Sequence, residues 1–166
     1  MKRYIRSAVQ PGDGMDYMFA KRASTSPEQL AQIANSKNWI TREEVANNPN
    51  TPIPVLAMLA DDNSEHGAFV RNCVARNLNT PVDILRKLSD DPSGTVRASV
   101  AGNPNTPVDI LVKLSTDVDP IDAYIVRFQV AENKNTPVET LREMTHDSSK
   151  YVQLAALRTL TNLRYG

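Results

Sequence analysis

Apolar residues recur along most of the chain at helical spacing, in short segments separated by proline and asparagine. In the segment 80–91, three apolar residues fall on one side of a helix. They are Ile84, Leu85 and Leu88. A second apolar stripe follows in the segment 96–103. It consists of Val96, Val100 and Ala101. The pattern predicts a pair of helices, a first of roughly ten residues and a shorter second one.

This two-helix pattern is repeated. The string N-x-N-T-P occurs four times, and a degenerate copy, residues 24–27, precedes them. Successive copies lie about 26 to 30 residues apart, and the length variation falls in the loop between the two helices. One helix pair cannot bury its apolar face alone, so the units must stack.

We therefore predict an all-α fold, an α-solenoid of about five two-helix repeats in residues 23–166. The expected repeats lie near 25–50, 51–79, 80–105, 106–135 and 136–166, and the last includes a C-terminal cap. Residues 1–22 do not match the repeat and are predicted to be an N-terminal arm or cap.

Each repeat carries an explicit helix start. Threonine is a favourable N-cap and proline a favourable first helical residue. In four units an acidic residue three positions after the threonine would complete a capping box. The predicted caps are Thr25, Thr51, Thr80, Thr106 and Thr136.

The recurrent motif resembles the leucine-rich repeat variant family, within the armadillo/HEAT-like superfamily. The resemblance rests on L-x-x-L-x-x-D, then V-R-x-x-V-A-x-N, then N-x-N-T-P, over roughly residues 24–158. It implies a right-handed superhelix without strands, in which α-helices alternate with short 3₁₀ segments. It implies no particular biochemical activity.

Two polar columns recur at fixed places in the repeat. The first column is Arg42, Arg71, Arg97 and Arg127. It is either an anion-binding ladder or a set of structural partners for the repeat aspartates or loop carbonyls. The second column is Asn50, Asn79, Asn105 and Asn135, and its members are expected to bond to turn backbone and to neighbouring loops.

Other positions differ from copy to copy, as expected of a face that binds a partner. The candidate interaction residues are Asn72, Arg76, Phe128, Glu132 and Arg158. Phe128 is either an exposed anchor for a partner or a residue packed on its own long loop near Tyr124.

The sequence offers little for catalysis or for metal binding. Cys73 is the only cysteine and aligns with polar residues, so it is expected to be partly exposed. His66 and His146 fall in loops, which makes a cysteine–histidine pair or a metal set a poor fit. The acidic loop 117–122 lacks the glycine and final glutamate of a calcium loop. No catalytic residue, metal or cofactor is expected.

The function favoured by these features is a non-catalytic scaffold that binds a protein or peptide. With 19 basic and 19 acidic residues the chain has no net charge, which argues against a dedicated nucleic-acid binder. Nucleic-acid binding stays the alternative, and it requires several basic residues to gather on one side. They are Lys2, Arg3, Arg6, Lys21, Arg22, Arg76 and Arg158. With no signal peptide or membrane span in the sequence, a cytoplasmic protein is expected.

Overall fold

The fold is an array of α-helices throughout the described part of the chain. A computed structural model describes residues 13–119 and 121–165, and these contain eleven helices and no strand. The helices are α1 (Asp13–Ala20), α2 (Pro27–Ile33), α3 (Trp39–Asn47), α4 (Ile53–Leu59), α5 (Gly67–Arg76), α6 (Val82–Leu88), α7 (Gly94–Gly102), α8 (Val108–Leu114), α9 (Ala123–Glu132), α10 (Val138–Met144) and α11 (Lys150–Tyr165). The predicted all-α repeat fold is confirmed.

The relative lengths of the two helices in a repeat were predicted wrongly. The first helix of each repeat has seven residues, whereas the second has nine or more. The first helix is short because proline stands before it and because its last residues leave the α-helical bonding pattern. Asp90 and Asp91 donate their amides to the carbonyls of Lys87 and Leu88, which are i→i−3 bonds that tighten the exit into a turn. The helices before and after this turn, α6 and α7, are both α-helices and not 3₁₀ segments.

The helices form two layers. The long helices α1, α3, α5, α7, α9 and α11 pack side by side in chain order. Each of the short helices α4, α6 and α8 contacts both the long helix before it and the long helix after it. The short layer therefore bridges consecutive members of the long layer, which is the architecture of a solenoid. The right-handed sense of the superhelix stays a prediction.

The apolar core runs through the array as columns of one residue type. The innermost column of the short layer is fully buried and consists of Leu30, Leu56, Leu85, Leu111 and Leu141. A column of small residues, also fully buried, lies in the long layer at Ala46, Ala75, Ala101 and Ala131. Since alanine adds only a methyl group, neighbouring long helices can approach closely, and the core needs few aromatic rings.

Helix α1 continues the row of long helices toward the N-terminus. The Thr25 hydroxyl donates to the carbonyl of Phe19, just as the Thr51 hydroxyl donates to the carbonyl of Val45. Residues 13–20 are thus the second helix of an N-terminal half-repeat, on which α3 packs. The rest of the predicted N-terminal arm or cap, residues 1–12, lies outside the described residues.

The prediction that the threonines cap the short helices is corrected. In four repeats the N-cap is the proline, in extended conformation, with no side-chain cap bond. In the first repeat, the capping box is formed by Ser26 and Gln29. Each threonine stands one residue too early to reach the first turn. Its hydroxyl instead donates to the carbonyl six residues earlier, at the end of the preceding long helix. These threonines are Thr25, Thr51, Thr80, Thr106 and Thr136.

One core column contains a polar substitution. Four repeats place valine at the start of the long-helix core, and the first repeat places Thr41 there. The valines are Val70, Val96, Val126 and Val152, all fully buried. Thr41 is equally buried, and its hydroxyl has no hydrogen-bond partner among the described residues. A buried, unsatisfied hydroxyl destabilises the fold.

Replacing Thr41 by valine is expected to raise the free energy of unfolding by about 1 kcal/mol, because the shape is kept and the unpaired hydroxyl is removed. Urea denaturation followed by circular dichroism measures this change. The matched control is Thr41→Ser, which keeps the hydroxyl, removes a buried methyl group and should lower stability. Equal or lower stability of Thr41→Val would show that the hydroxyl is satisfied.

Candidate interaction surface

Each arginine of the repeat column joins two consecutive repeats. Arg71 donates from Nε and Nη2 to the carboxylate of Asp91 in the next repeat, at 2.6 and 3.0 Å. Its Nη1 donates to the backbone carbonyl of Asp62 in its own repeat, at 2.6 Å. Arg97 and Arg127 have the same set of partners one and two repeats further on. Such forked, charge-assisted bonds are among the stronger hydrogen bonds in proteins.

The ladder starts and stops at neutral side chains. In the first repeat Ser36 stands at the aspartate position, and its carbonyl accepts from Arg42. In the last repeat Gln153 stands at the arginine position and donates only to the carbonyl of Asp147. The ladder therefore pairs its charges internally.

Three aspartates of the ladder have lowered pKa values. Burial alone would raise the pKa of Asp117, but hydrogen bonds from Arg97 and from the amide of Asp119, with the nearby positive charge, bring that pKa below its ordinary value. The same balance lowers the pKa of Asp62 and of Asp147. The four arginine side chains are only 12–14% exposed and are already engaged. This arrangement favours the structural interpretation of the column over an anion-binding one.

The asparagines form two parallel cross-repeat rows. Asn103, buried at the end of α7, donates from Nδ2 to the carbonyls of Ala75 and Asn77 in the preceding repeat. Its Oδ1 accepts the amide of Asn105, whose own Nδ2 donates to the carbonyl of Leu78. The inner row is Asn48, Asn77, Asn103 and Asn133; the outer row is Asn50, Asn79, Asn105 and Asn135. These side chains hold the loops of neighbouring repeats together, which favours the structural interpretation of the asparagine column.

The candidate interaction residues lie at three places. Asn72 and Arg76 line a groove of about 430 Å³ between α5, α7 and α9, here called the central groove. Glu132 and Arg158 form an exposed ion pair beside a second cavity near α11. Phe128 is partly buried and packs against the core. The interpretation of Phe128 as a solvent-facing anchor is thus not supported, and the five residues do not form one continuous site.

The central groove exists because α7 is lined with small side chains. Ala98, Ser99 and Gly102 line it from that helix, and the other repeats carry larger residues at the positions of Ala98 and Gly102. On one side, Asn72 donates to the carbonyl of Thr95 and to the Ser99 hydroxyl, which fixes its amide. The groove therefore combines space, fixed polar groups and the guanidinium of Arg76.

A surface cluster of aromatic rings was missed by the sequence analysis. The Trp39 and His66 rings stack at 4.7 Å between centroids, and Phe69 lies 5.4 Å from Trp39. Phe69 is 55% exposed. Aligning the repeats could have revealed the cluster, since Phe69 occupies the slot of Ile40, the neighbour of Trp39 in the preceding repeat.

Cys73 differs from the expectation of partial exposure. Its side chain is buried. The alignment of its slot with Ser99 and Gln129 could not show that the preceding helix packs against it. Burial, and then the charge of Glu43, raise the pKa of the thiol to about 11. At neutral pH it is therefore a protonated, poorly reactive group. His66 is stacked on Trp39, so the two do not form a catalytic pair.

Comparison with known proteins identifies the repeats. A family model described as leucine rich repeat variant matches residues 94–119 and 125–149. These are leucine-rich repeat variant (LRV) repeats. The matched segments contain the Arg97 and Arg127 rungs of the ladder and confirm the resemblance noted in the sequence.

One solved structure is similar to the chain, and it is described as a leucine-rich repeat variant with a novel repetitive protein structural motif. It is 23% identical, the match covers 91% of this chain and 67% of that one, and the TM-score is 0.44. No curated protein matches the chain. Within residues 13–119 and 121–165, no helix could span a membrane, and no three histidine, cysteine, aspartate or glutamate side chains are grouped to hold a metal ion.

If the LRV ladder holds the repeats together, Asp147→Asn should lower the free energy of unfolding by about 2 kcal/mol at pH 7, since it leaves the buried Arg127 without a counter-charge. The matched control is Glu139→Gln. It removes the exposed pair with Arg142, which should contribute under about 0.5 kcal/mol.

The effect of Asp147→Asn should depend on pH. The folded state lowers the pKa of Asp147, so the stabilisation is present above the ordinary aspartate pKa and is lost as pH falls through the lowered one. Urea denaturation of the wild type and of Asp147→Asn at pH 7, 5, 3 and 2 measures this. The two free energies of unfolding should converge at the acidic end. A difference that stays constant down to pH 2 would contradict ionic pairing.

Proposed function

We propose that this LRV-repeat protein is a non-catalytic scaffold that binds a peptide segment of a partner on its long-helix layer. The proposal rests on one observation: the residues with a structural role and the residues that line the surface groove occupy different positions of the repeat. The arginines and asparagines that recur from repeat to repeat form hydrogen bonds to neighbouring repeats, whereas residues that vary line the central groove between α5, α7 and α9. Surface variation on a uniform frame is how repeat proteins obtain specificity.

The short-helix layer is less suited to a partner. Its neighbouring repeats are joined across the surface by exposed ion pairs. These are Arg86–Asp109, Lys87–Asp61 and Lys113–Asp90. A partner would have to displace these pairs, whereas the central groove is open.

Nucleic-acid binding finds less support. Lys21 and Arg22 follow α1 at one end of the array, Arg76 belongs to α5, and Arg158 belongs to α11 at the other end. Arg158 is also paired with Glu132. Lys2, Arg3 and Arg6 lie outside the described residues. The basic residues that are described do not gather on one side. The proposed location is the cytoplasm, which suits a single free thiol.

An array of random octapeptides, acetylated and amidated at their ends, tests the proposal with the intact chain. Thr95→Trp fills the central groove from an exposed position and should weaken peptide binding at least about tenfold. Val112→Trp places the same side chain on the short-helix layer, at a residue 44% exposed, and should leave binding unchanged.

Thermal melts by circular dichroism establish that both variants fold. Binding that is lost in Val112→Trp and kept in Thr95→Trp would move the site to the other layer. Absence of any retained peptide, both on this array and on the same array with free C-termini, would overturn the peptide-binding proposal.

A further inference from the structure

Among the described residues, no side chain forms a hydrogen bond or an ion pair with Arg76. Arg76 lies at the C-terminal end of α5 and is exposed. The nearby acid Glu43 belongs to the preceding repeat, where it contacts the Cys73 thiol at 3.9 Å. The guanidinium instead lines the central groove.

The repeat itself shows what such a position can bind. Arg76 and Gly102 occupy the same slot in consecutive repeats, 26 residues apart in sequence. In the repeat after Gly102 the same slot holds Glu132. In the last repeat it holds Arg158, 26 residues after Glu132. Those two side chains form an ion pair across the repeat boundary. The Arg76–Gly102 boundary has the cation but lacks the carboxylate.

The groove beside Gly102 is bounded by the side chain of Gln129, which would have to move to admit a larger residue at position 102. A Cβ on Gly102 would come within 3.0 Å only of the Gln129 amide oxygen, the flexible end of a side chain. The space beside Gly102 belongs to the central groove, which Leu78, 63% exposed, also lines. Carboxylate recognition by a guanidinium can therefore be combined there with an apolar contact.

We propose that the central groove binds a peptide carboxylate on Arg76, in the part of the groove lined by Gly102, with an apolar residue of the same peptide against Leu78. The inference rests on the proposed peptide-binding function and names the chemistry of its ligand. The carboxylate is that of an aspartate or glutamate side chain, as in the Glu132–Arg158 pair, and a C-terminal carboxylate is the other outcome of the test.

The test uses the octapeptide array in two forms, one with amidated and one with free C-termini. The wild-type chain should retain peptides enriched in aspartate or glutamate on the amidated array if the source is a side chain. It should retain only free-ended peptides if the source is the terminus. Retention of free-ended peptides alone would overturn the side-chain source of the carboxylate.

Two variants should abolish the preference, and a third should leave it intact. Arg76→Gln removes the charge and should weaken the retained peptides by about fivefold to tenfold. Gly102→Glu supplies an internal carboxylate to Arg76, as Glu132 does for Arg158, and should weaken them similarly. The matched control Arg142→Gln removes an exposed arginine from the short-helix layer and should change nothing.

Charge reversal gives the sharpest test of the carboxylate site. Arg76→Glu should shift the retained peptides from acidic to basic residues, a gain that loss of folding cannot imitate. Peptides retained without acidic or free-end preference, or a preference that survives Arg76→Gln, would overturn this inference and leave the proposed function standing. No retained peptide on either array would overturn both.

Discussion

The carbonyl groups at the ends of the long helices constrain the whole structure. The last turn of a helix leaves carbonyl oxygens without intrahelical donors, and here those oxygens are buried between repeats. The carbonyl of Val74 receives the hydroxyl of Thr80, and that of Ala75 receives the amide of Asn103 in the next repeat. A repeat without its successor would leave Ala75 unsatisfied. Stacking is therefore required by hydrogen bonding as much as by apolar burial.

The arginine ladder follows the same logic at the opposite ends of the long helices. Each guanidinium donates to a loop carbonyl of its own repeat and to a carboxylate of the next one, so no buried charge is left without an opposite charge. Neutral residues, Ser36 and Gln153, stand at the two ends of the ladder in the described part of the chain. The whole polar framework is thus neutral and internally satisfied.

Because the framework uses the invariant residues, the remaining positions of the long helices are free to vary. At α7 the variation is toward small side chains, which opens the central groove. At α9 and α11 it produces an ion pair, whereas at α5 it leaves Arg76 without an ion pair to any described residue. Recognition by such a protein depends on the local departures from the repeat, and less on the repeat itself.

The internal repetition of the sequence was sufficient to predict the helix pairs, the number of repeats and the columns of arginine and asparagine, because periodic spacing reports which side chains share an environment. It did not predict the role of the threonines, because a hydroxyl at Thr80 can reach either the next helix or the previous one, and only the path of the chain selects the previous one.

The burial of Cys73, the packing of Phe128 and the cluster of Trp39, His66 and Phe69 were likewise decided by tertiary structure. Each depends on which helix lies alongside, at a distance of some thirty residues in sequence. The central groove is the clearest case: Gly102 is one small residue in the sequence, and it becomes an open space beside a cation only when α5 and α7 lie next to each other.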